Sequence, residues 1–210
     1  MILRALKSHS AESFHAIGPV RHFEPNQRIY FEGDPAEMFL KVVSGVVRTC
    51  RMLSDGRRQV DAFHTEGELF GFEIGPAYSM SAEAVCSSTV VSYHWRNLEV
   101  RETTERSPSE QLFSHVVFSL MRAQEHARLL GSLSAIEKIA AFLVEWSDRS
   151  ADKSLVTLVM TRQDIADYLG LTVETVSRSL TQLRQDGLIE FLSPRQLRLT
   201  DITALQALNS

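Results

Sequence analysis

The stretch 161–183 constrains the fold of this chain more than any other, because it has the spacing of two helices joined by a tight turn. Thr161 is a good N-cap with Asp164 three residues later, which is close to the capping-box pattern. Gly170 can take the left-handed conformation that ends a helix, and Thr172 can cap the next one. This order of signals predicts a helix-turn-helix.

The second predicted helix has two chemically different faces. Its apolar side chains recur at intervals of three and four residues, as on a buried helix face: Val173, Val176, Leu180 and Leu183. The opposite face carries Glu174, Ser177, Arg178 and Thr181. In the major groove, arginine can bond guanine O6 and N7, glutamate can accept from cytosine N4, and serine suits either edge. We therefore expect Glu174, Ser177 and Arg178 to contact DNA bases; the alternative is an ordinary solvated helix face.

Polar side chains around the same helices are candidates for contacts with the DNA backbone. They are Thr161, Arg162, Gln163, Thr172, Thr175 and Arg184. Residues 188–191 and 197–200 have the pattern of short strands around Ser193-Pro194-Arg195, which predicts a winged-helix hairpin. Residues 153–210 carry six basic and six acidic side chains, so the salt dependence of DNA binding should be moderate.

The first half of the chain has β-type patterning. Residues 18–75 hold seven of the ten glycines and include the short β-type runs 39–43, 45–49 and 59–63. The stretch 83–93 continues this character. Asp55-Gly56 lies between two of these runs and is a strong hairpin signal. We expect an all-β roll or barrel here.

From Pro108 the apolar period becomes helical. Six apolar residues recur at intervals of three and four: Leu112, Val116, Leu120, Ala123, Ala127 and Leu130. Such a stripe suits the seam of a homodimer, and a two-fold axis would let two recognition helices reach half-sites about 34 Å apart. The alternative is that this helix packs on its own β-domain. Gly131 and Ser134 mark the break before a further helix at 135–147.

Composition limits the location and redox chemistry of the chain. No apolar run approaches the roughly 18 residues of a membrane span, and 1–20 is too interrupted by charges and histidines for a secretion signal. We therefore expect a cytoplasmic protein. Cys50 and Cys86 are too few for a disulfide framework, which favours buried inert thiols over a redox role.

The order of these parts resembles the Crp/Fnr superfamily of transcription regulators, and three stretches are similar to its FixK branch. They are SDGRRQ at 54–59, GELFGFE at 67–73 and RQDIADYLGLTVETVSR at 162–178. The resemblance implies an α+β fold: a β-roll like the cyclic-nucleotide-binding jelly roll at 1–106, a dimerisation helix at 107–131, and a C-terminal winged helix-turn-helix at 132–210.

The resemblance also implies what this chain binds. It implies that Glu174, Ser177 and Arg178 contact an inverted repeat of TTGAT-like half-sites, and that the protein activates genes of low-oxygen respiration and nitrogen fixation. It further implies contacts with RNA polymerase from the hairpin Asp55, Gly56, Arg57 and Arg58, and from the loop at 148–154.

The chain departs from its effector-binding relatives at specific positions. Fnr proteins hold an iron–sulfur cluster on cysteines near the N-terminus, but no cysteine precedes Cys50 here. Cyclic-AMP-binding members have a glutamate where this chain has Phe72 and an Arg-Ser pair where it has Met80-Ser81. Glu73 and Glu83 would repel a phosphate. We therefore expect no cofactor, no metal and no cyclic AMP, and DNA binding that needs no effector.

Two alternatives stay open. The roll could hold haem through His22, His64 or His94, which would make the regulator effector-gated. The segment His64-Thr65-Glu66 resembles part of a cupin-type metal site, with His64 and Glu66 on one face of a strand. Because further ligands and a nucleophile with a partner are missing, we expect that the chain is not an enzyme. Without an effector, DNA binding would be controlled by the amount of protein or by oxidation of Cys50 or Cys86.

Overall fold

The computed structural model describes residues 18–95, 108–150 and 152–208; within the helix that begins at Pro108, side chains are described from residue 113. The chain divides into two compact units, Met1–Ala123 and Gln124–Ser210. Among the helices of the described residues, none has the length and apolar character needed to cross a membrane.

Two antiparallel sheets build the described part of the first unit up to residue 95. The strands are β1 (Val20–Phe23), β2 (Arg28–Tyr30), β3 (Met38–Ser44), β4 (Val47–Met52), β5 (Arg58–His64), β6 (Leu69–Phe70), β7 (Ser81–Ala84) and β8 (Ser88–His94). One sheet has the order β1-β8-β3-β6 and the other β2-β7-β4-β5. Apart from the hairpin of β4 and β5, the strands that pair in each sheet are not consecutive in sequence, and this topology is that of the predicted β-roll.

The core of the roll lies between the two sheets. Leu40 and Val42 of β3, Val47 of β4 and Phe70 of β6 are buried there. Phe39 alternates with Leu40 and points to the other face of its sheet, where it packs with Leu69 and Tyr93. Both faces of this sheet are therefore covered with apolar side chains.

The predicted hairpin at Asp55-Gly56 is confirmed. Strands β4 and β5 pair from Met52 and Arg58 inward, and the Gly56 N–H donates to the Leu53 carbonyl to close the turn. The predicted run at 45–49 begins too early, since Gly45 has a φ of 85° and β4 starts at Val47. A side chain at Gly45 would also collide with Ser88, because a Cβ would lie 2.3 Å from its hydroxyl oxygen.

The long helix α1 (Pro108–Ser132) begins at the predicted proline. In the first unit, the Arg122 guanidinium bonds the Glu68 carboxylate at 3.1 Å and donates to the Phe63 carbonyl. One face of α1 therefore contacts its own roll, as in the alternative interpretation of this helix.

The second unit is a helical domain with a small sheet. Its elements after α1 are α2 (Ala135–Ser147), β9 (Leu155–Thr157), α3 (Arg162–Leu169), α4 (Val173–Gln185), β10 (Ile189–Phe191), β11 (Gln196–Leu199) and α5 (Ile202–Ala207). The predicted helix at 135–147 is confirmed, and so is the hairpin of β10 and β11. Strand β9 was not predicted; it pairs with β11 as the third strand of the sheet.

Candidate nucleic-acid interface

The first helix of the predicted pair is capped as the sequence indicated. The Thr161 hydroxyl oxygen accepts from the Asp164 N–H, and the Asp164 carboxylate accepts from the Thr161 N–H at 2.9 Å. Gly170 ends α3 in the left-handed region, with φ 64° and ψ 38°. The chain thus turns between α3 and α4 without the strain that a side chain would add there.

The second helix buries the predicted face. The Thr172 hydroxyl accepts from the Thr175 N–H at 3.2 Å and caps α4. Val176, Leu180 and Leu183 are buried, and Ser179 is buried beside them. This packing fixes which side chains of α4 face outward.

Glu174, Ser177 and Arg178 are all exposed on the first two turns of α4. The backbone N–H of Glu174, the Thr172 hydroxyl and the charge of Arg178 lower the pKa of the Glu174 carboxyl. Glu174 is therefore ionised at neutral pH and can only accept hydrogen bonds. Arg178, four residues later on the same face, presents a fork of donors.

The candidates for backbone contacts occupy different settings. The hydroxyls of Thr161, Thr172 and Thr175 belong to the two helix caps. Gln163 donates to Asp167 at 2.6 Å, and Arg184 is exposed near the end of α4. Arg162 is half-buried, with its guanidinium carbon 5.5 Å from the centre of the Phe191 ring, so this side chain packs against the wing.

The wing has an ordered tip. The Ser193 hydroxyl accepts from the N–H groups of Arg195 and Gln196, and β10 and β11 are linked by an ion pair of Arg198 with Glu190 at 3.2 Å. Arg195 is exposed at the tip. The hairpin was predicted from the sequence, but these contacts were not; the ion pair joins its two strands, and the Ser193 bonds order its tip.

The apolar stripe of α1 is largely exposed. Val116 and Leu120 are 44% and 57% exposed, and Ala123 and Ala127 are exposed beside them. Leu130 is half-buried, and its side chain lies against Gly170 of the same chain. The side chain of Leu112 lies outside the described residues. Phe113 is 70% exposed and was missed, although it precedes Val116 by three residues and so fits the same stripe.

The residues of the hairpin predicted to contact RNA polymerase differ in exposure. Asp55 and Arg57 form an ion pair at 2.7 Å on the exposed turn. The Arg58 side chain is only 22% exposed and faces Glu83 at 3.9 Å. Arg58 therefore belongs to the roll and not to the exposed surface of the hairpin. In the other predicted loop, Lys153 pairs with Asp148.

The negative charge of Glu83 is balanced by two arginines inside the roll. This corrects the expectation that Glu83 would repel a phosphate. Its carboxylate bonds Arg28 at 2.8 Å and Arg48 at 2.7 Å, and the Arg48 side chain is only 5% exposed. Burial raises the pKa of Glu83, but the bonds and charges of Arg28 and Arg48 outweigh burial and lower this pKa below its ordinary value. The roll therefore does contain arginines that could pair with a phosphate, but both already form ion pairs with Glu83.

The other sequence positions singled out in the roll also have identified surroundings. Phe72 stacks on Phe39 with ring centres 5.6 Å apart, so it fills an aromatic cluster. Glu73 accepts from the N–H and hydroxyl of Ser79. Glu66 lies on a turn beyond the end of β5, so it does not share a strand face with His64 as expected.

The histidines and cysteines of the roll are spread over separate sites. His22 bonds Thr89, His64 bonds Thr49 and stacks on Phe70, and His94 is exposed. Within 18–95, 108–150 and 152–208, no three His, Cys, Asp or Glu side chains come together as a metal site. Cys50 is buried and Cys86 half-buried. Burial and the charge of Glu83 raise the pKa of the Cys50 thiol, which disfavours its reactive thiolate.

A capped helix pair, a glycine turn, an exposed polar face on the second helix and a β-hairpin wing define a winged helix-turn-helix DNA-binding domain. In this chain it follows a β-roll and a long helix. Residues 137–208 match the model of the Crp-like helix-turn-helix domain, and residues 20–102 match that of the cyclic nucleotide-binding domain.

Several known proteins are similar to this chain over nearly its full length. The nitrogen fixation regulation protein FixK of Rhizobium meliloti is 42% identical over 191 residues, covering 91% of this chain and 86% of FixK. The transcriptional activatory protein AadR of Rhodopseudomonas palustris is 36% identical, covering 94% of this chain and 84% of AadR. The solved structure of FixK2 from Bradyrhizobium japonicum has a TM-score of 0.85 and 38% identity, covering 92% of this chain and 98% of that one. The chain belongs to the Crp/Fnr family of transcription regulators, in its FixK-type branch.

Proposed function

We propose that this regulator is a homodimeric activator that binds an inverted repeat of TTGAT-type half-sites. Its regulated genes serve low-oxygen respiration or nitrogen fixation, in keeping with the nitrogen fixation regulation proteins to which it is similar. It acts by binding DNA in the cytoplasm and not as an enzyme. The observation that carries the proposal is the exposed set of Glu174, Ser177 and Arg178 at the start of a capped helix.

Base recognition follows from the chemistry of that set. The N-terminal turns of a recognition helix are the part that reaches base edges in the major groove. Arg178 can bond O6 and N7 of the guanine in a half-site, while the ionised Glu174 accepts from N4 of a cytosine. Ser177 lies between them in sequence and supplies a hydroxyl that can donate or accept. Together they read one G·C pair and its neighbour.

Contacts to the phosphates hold the helix in this register. The hydroxyls of Thr161, Thr172 and Thr175 stand at the N-termini of α3 and α4, where helix N–H groups favour anions. Arg162, Gln163 and Arg184 complete the backbone set. Because the basic side chains of the domain are few, the salt dependence of binding is moderate.

The exposed stripe of α1 supplies the dimer interface. A row of apolar side chains in water is costly, and a parallel copy across a two-fold axis would bury it. The interface consists of Leu112, Val116, Leu120, Ala123, Ala127 and Leu130, to which we add Phe113. The alanines let the two helices approach closely. The corresponding domain limits are 1–106 for the roll, 107–131 for the dimerisation helix and 132–210 for the DNA-binding domain.

RNA polymerase contacts this regulator through its exposed loops. The turn at Asp55, Gly56 and Arg57 projects from the roll, and in the loop at 148–154 the ion pair of Lys153 with Asp148 is exposed. Arg58 supports the hairpin from inside through Glu83. These loops carry charges of both signs, which suits a contact that forms only at promoters.

The regulator binds DNA without a small-molecule effector. Glu83 already occupies Arg28 and Arg48, and an aromatic side chain stands at Phe72, where cyclic-AMP-binding relatives have a glutamate. A ligand can shift a conformational equilibrium only through different affinities for the two states. Control therefore rests on the amount of protein or on oxidation of a thiol, for which the half-buried Cys86 is more accessible than Cys50.

A binding titration in air tests the proposal. The purified chain is titrated on a duplex with a TTGAT inverted repeat and on the same duplex with both half-sites scrambled, each with and without cyclic AMP and a thiol reductant. We expect tight binding to the repeat alone, unchanged by cyclic AMP. Equal binding to both duplexes would contradict the base readout. A requirement for cyclic AMP, or for exclusion of air, would contradict effector-free binding.

A further inference from the structure

His126 makes an unusually specific contact with the helix that precedes the recognition helix. Its ring stacks on the Tyr168 ring with centres 4.1 Å apart and planes 11° apart. The same imidazole places Nε2 2.8 Å from the Tyr168 carbonyl oxygen. Because a carbonyl only accepts, Nε2 carries the proton and donates. One side chain thus contacts both the ring and the backbone of a single residue.

That carbonyl lies in the last turn of α3. Tyr168 and Leu169 are the last two residues of this helix, and carbonyls at a helix C-terminus are commonly bonded by groups from outside the helix. His126 of α1 bonds the Tyr168 carbonyl, and the Lys138 ammonium of α2 lies 3.5 Å from the Leu169 carbonyl oxygen. Two neighbouring helices therefore hold the end of α3 directly before the Gly170 turn into α4.

Packing around this point strengthens the same link. Tyr168 is 6% exposed and packs edgewise on Phe142 of α2, with ring centres 5.9 Å apart. One turn along α1 from His126, the Leu130 side chain lies 3.6 Å from the position that a Cβ on Gly170 would occupy. The last turns of α1 thus contact both the end of α3 and the turn that precedes α4.

We infer that His126 is a positioning residue that sets the spacing of the two DNA half-sites. The inference rests on the proposed dimer, because Ala127, the next residue on α1, belongs to the exposed stripe that would meet the partner copy. A histidine fixed to Tyr168 by a stack and a hydrogen bond holds α3, and with it α4, at one orientation to the last turns of α1, which carry Ala127. In a two-fold dimer this orientation determines how far apart the recognition helices stand.

The two parts of the contact can be removed separately. His126→Phe keeps an aromatic ring for the stack but loses the donor, whereas His126→Gln keeps an N–H donor near the position of Nε2 and loses the ring. His126→Ala loses both. If His126 only filled space, the phenylalanine variant would behave like the original protein, because its ring is of similar size.

The test measures affinity for a panel of inverted repeats whose half-sites are kept constant and whose spacer is shortened or lengthened by one base pair. Thermal unfolding of each variant, followed by circular dichroism, confirms that it is folded at the assay temperature. Arg178→Ala serves as the control, because it removes base readout and leaves the helix contact intact.

We expect the original protein to prefer one spacer clearly. In His126→Ala and His126→Phe this preference should fall on the order of fivefold, the factor that one net hydrogen bond supplies, while the preference for half-site bases is unchanged. His126→Gln should restore much of it. Arg178→Ala should lower affinity at every spacer without changing their order.

Folded His126→Ala and His126→Phe variants with the original spacer preference would overturn the inference and leave the proposed function standing. An original protein with no preference for any inverted repeat would overturn both.

Discussion

Glu174 and Arg178 stand four residues apart on the exposed face of α4, and their opposite charges suit the two bases of one G·C pair. Arg178→Ala should cost about 1–3 kcal/mol per half-site and relax the preference at one G·C position. Glu174→Ala should relax the same or the adjacent position. Selection of bound sites from partially randomised repeats measures both effects.

Arg184→Ala is the matched control for this prediction. It removes the same charge from the same helix, but from the end where we expect a phosphate contact. Its affinity should fall similarly for all sequences, with a smaller salt dependence. If Arg178→Ala gives the same sequence preference as Arg184→Ala, the assignment of Arg178 to a base is wrong.

Glu83 predicts how the roll responds to acid. Arg28 and Arg48 hold the pKa of Glu83 below its ordinary value, so the stability from this carboxylate is present at neutral pH and is lost as the pH falls through the lowered pKa. Glu83→Gln removes the carboxylate charge that pairs with Arg48 inside the roll, which should cost about 3–5 kcal/mol at pH ~7. Urea unfolding at several pH values measures this.

The difference between the original protein and Glu83→Gln should begin to shrink near the ordinary glutamate pKa of about 4.3, where the carboxylate of the unfolded chain takes up a proton. It should disappear as the pH falls through the lowered pKa, where the folded protein takes up the same proton. Glu66→Gln makes the same chemical change on an exposed turn and should have little effect on unfolding. A cost of Glu83→Gln that stays constant from neutral to acid pH would contradict the charge-based explanation.

At the scale of elements, two glycines predict opposite effects of the same substitution. Gly170 ends α3 with a φ of 64°, where an alanine should cost about 1–2 kcal/mol of unfolding free energy. Gly131 is the last residue but one of α1 and has helical backbone, and a Cβ there would meet nothing within 4 Å. Gly131→Ala should therefore stabilise by about 0.5–1 kcal/mol. Urea denaturation measures the free energy of unfolding of both variants. If both substitutions changed it in the same direction, backbone conformation would not explain the effect of alanine at these two positions.

Elements with local signals could be predicted from the sequence, and those with distant partners could not. Thr161, Asp164, Gly170 and Thr172 determine the boundaries of α3 and α4 through contacts a few residues apart. Strand β9 has three residues and depends on pairing with β11, about 40 residues away. The pairing of Arg58 with Glu83 was missed for the same reason, since only the folded sheet brings them together.

The candidate site shows the same division. The exposed face of α4 follows from helical periodicity, so Glu174, Ser177 and Arg178 could be chosen from sequence alone. The contact of Arg162 with Phe191 and that of His126 with Tyr168 join separate elements, and no local pattern marks them. Phe113 was within reach of the pattern, because it continues the three-and-four spacing of the exposed stripe.

For the whole molecule, the proposed dimer predicts a sharp effect of one charge. Ala123→Glu would place two carboxylates against each other in the interface, which should weaken the dimer on the order of 3–5 kcal/mol. DNA binding should fall with it. Gln124→Glu introduces the same charge one residue further along the helix, outside the stripe, and should leave the dimer intact. Sedimentation of both variants decides; an unchanged dimer in Ala123→Glu would place the interface elsewhere.

Selection of bound sites from random DNA, with the purified protein in air and no added effector, tests the central claim most directly. We predict enrichment of a two-fold inverted repeat of TTGAT-type half-sites, with half-site centres about one helical turn of DNA apart, roughly 34 Å. Arg178→Ala protein selected in parallel should lose the preference at one G·C position of each half-site. Enrichment of single sites, of direct repeats, or of no motif would contradict the account.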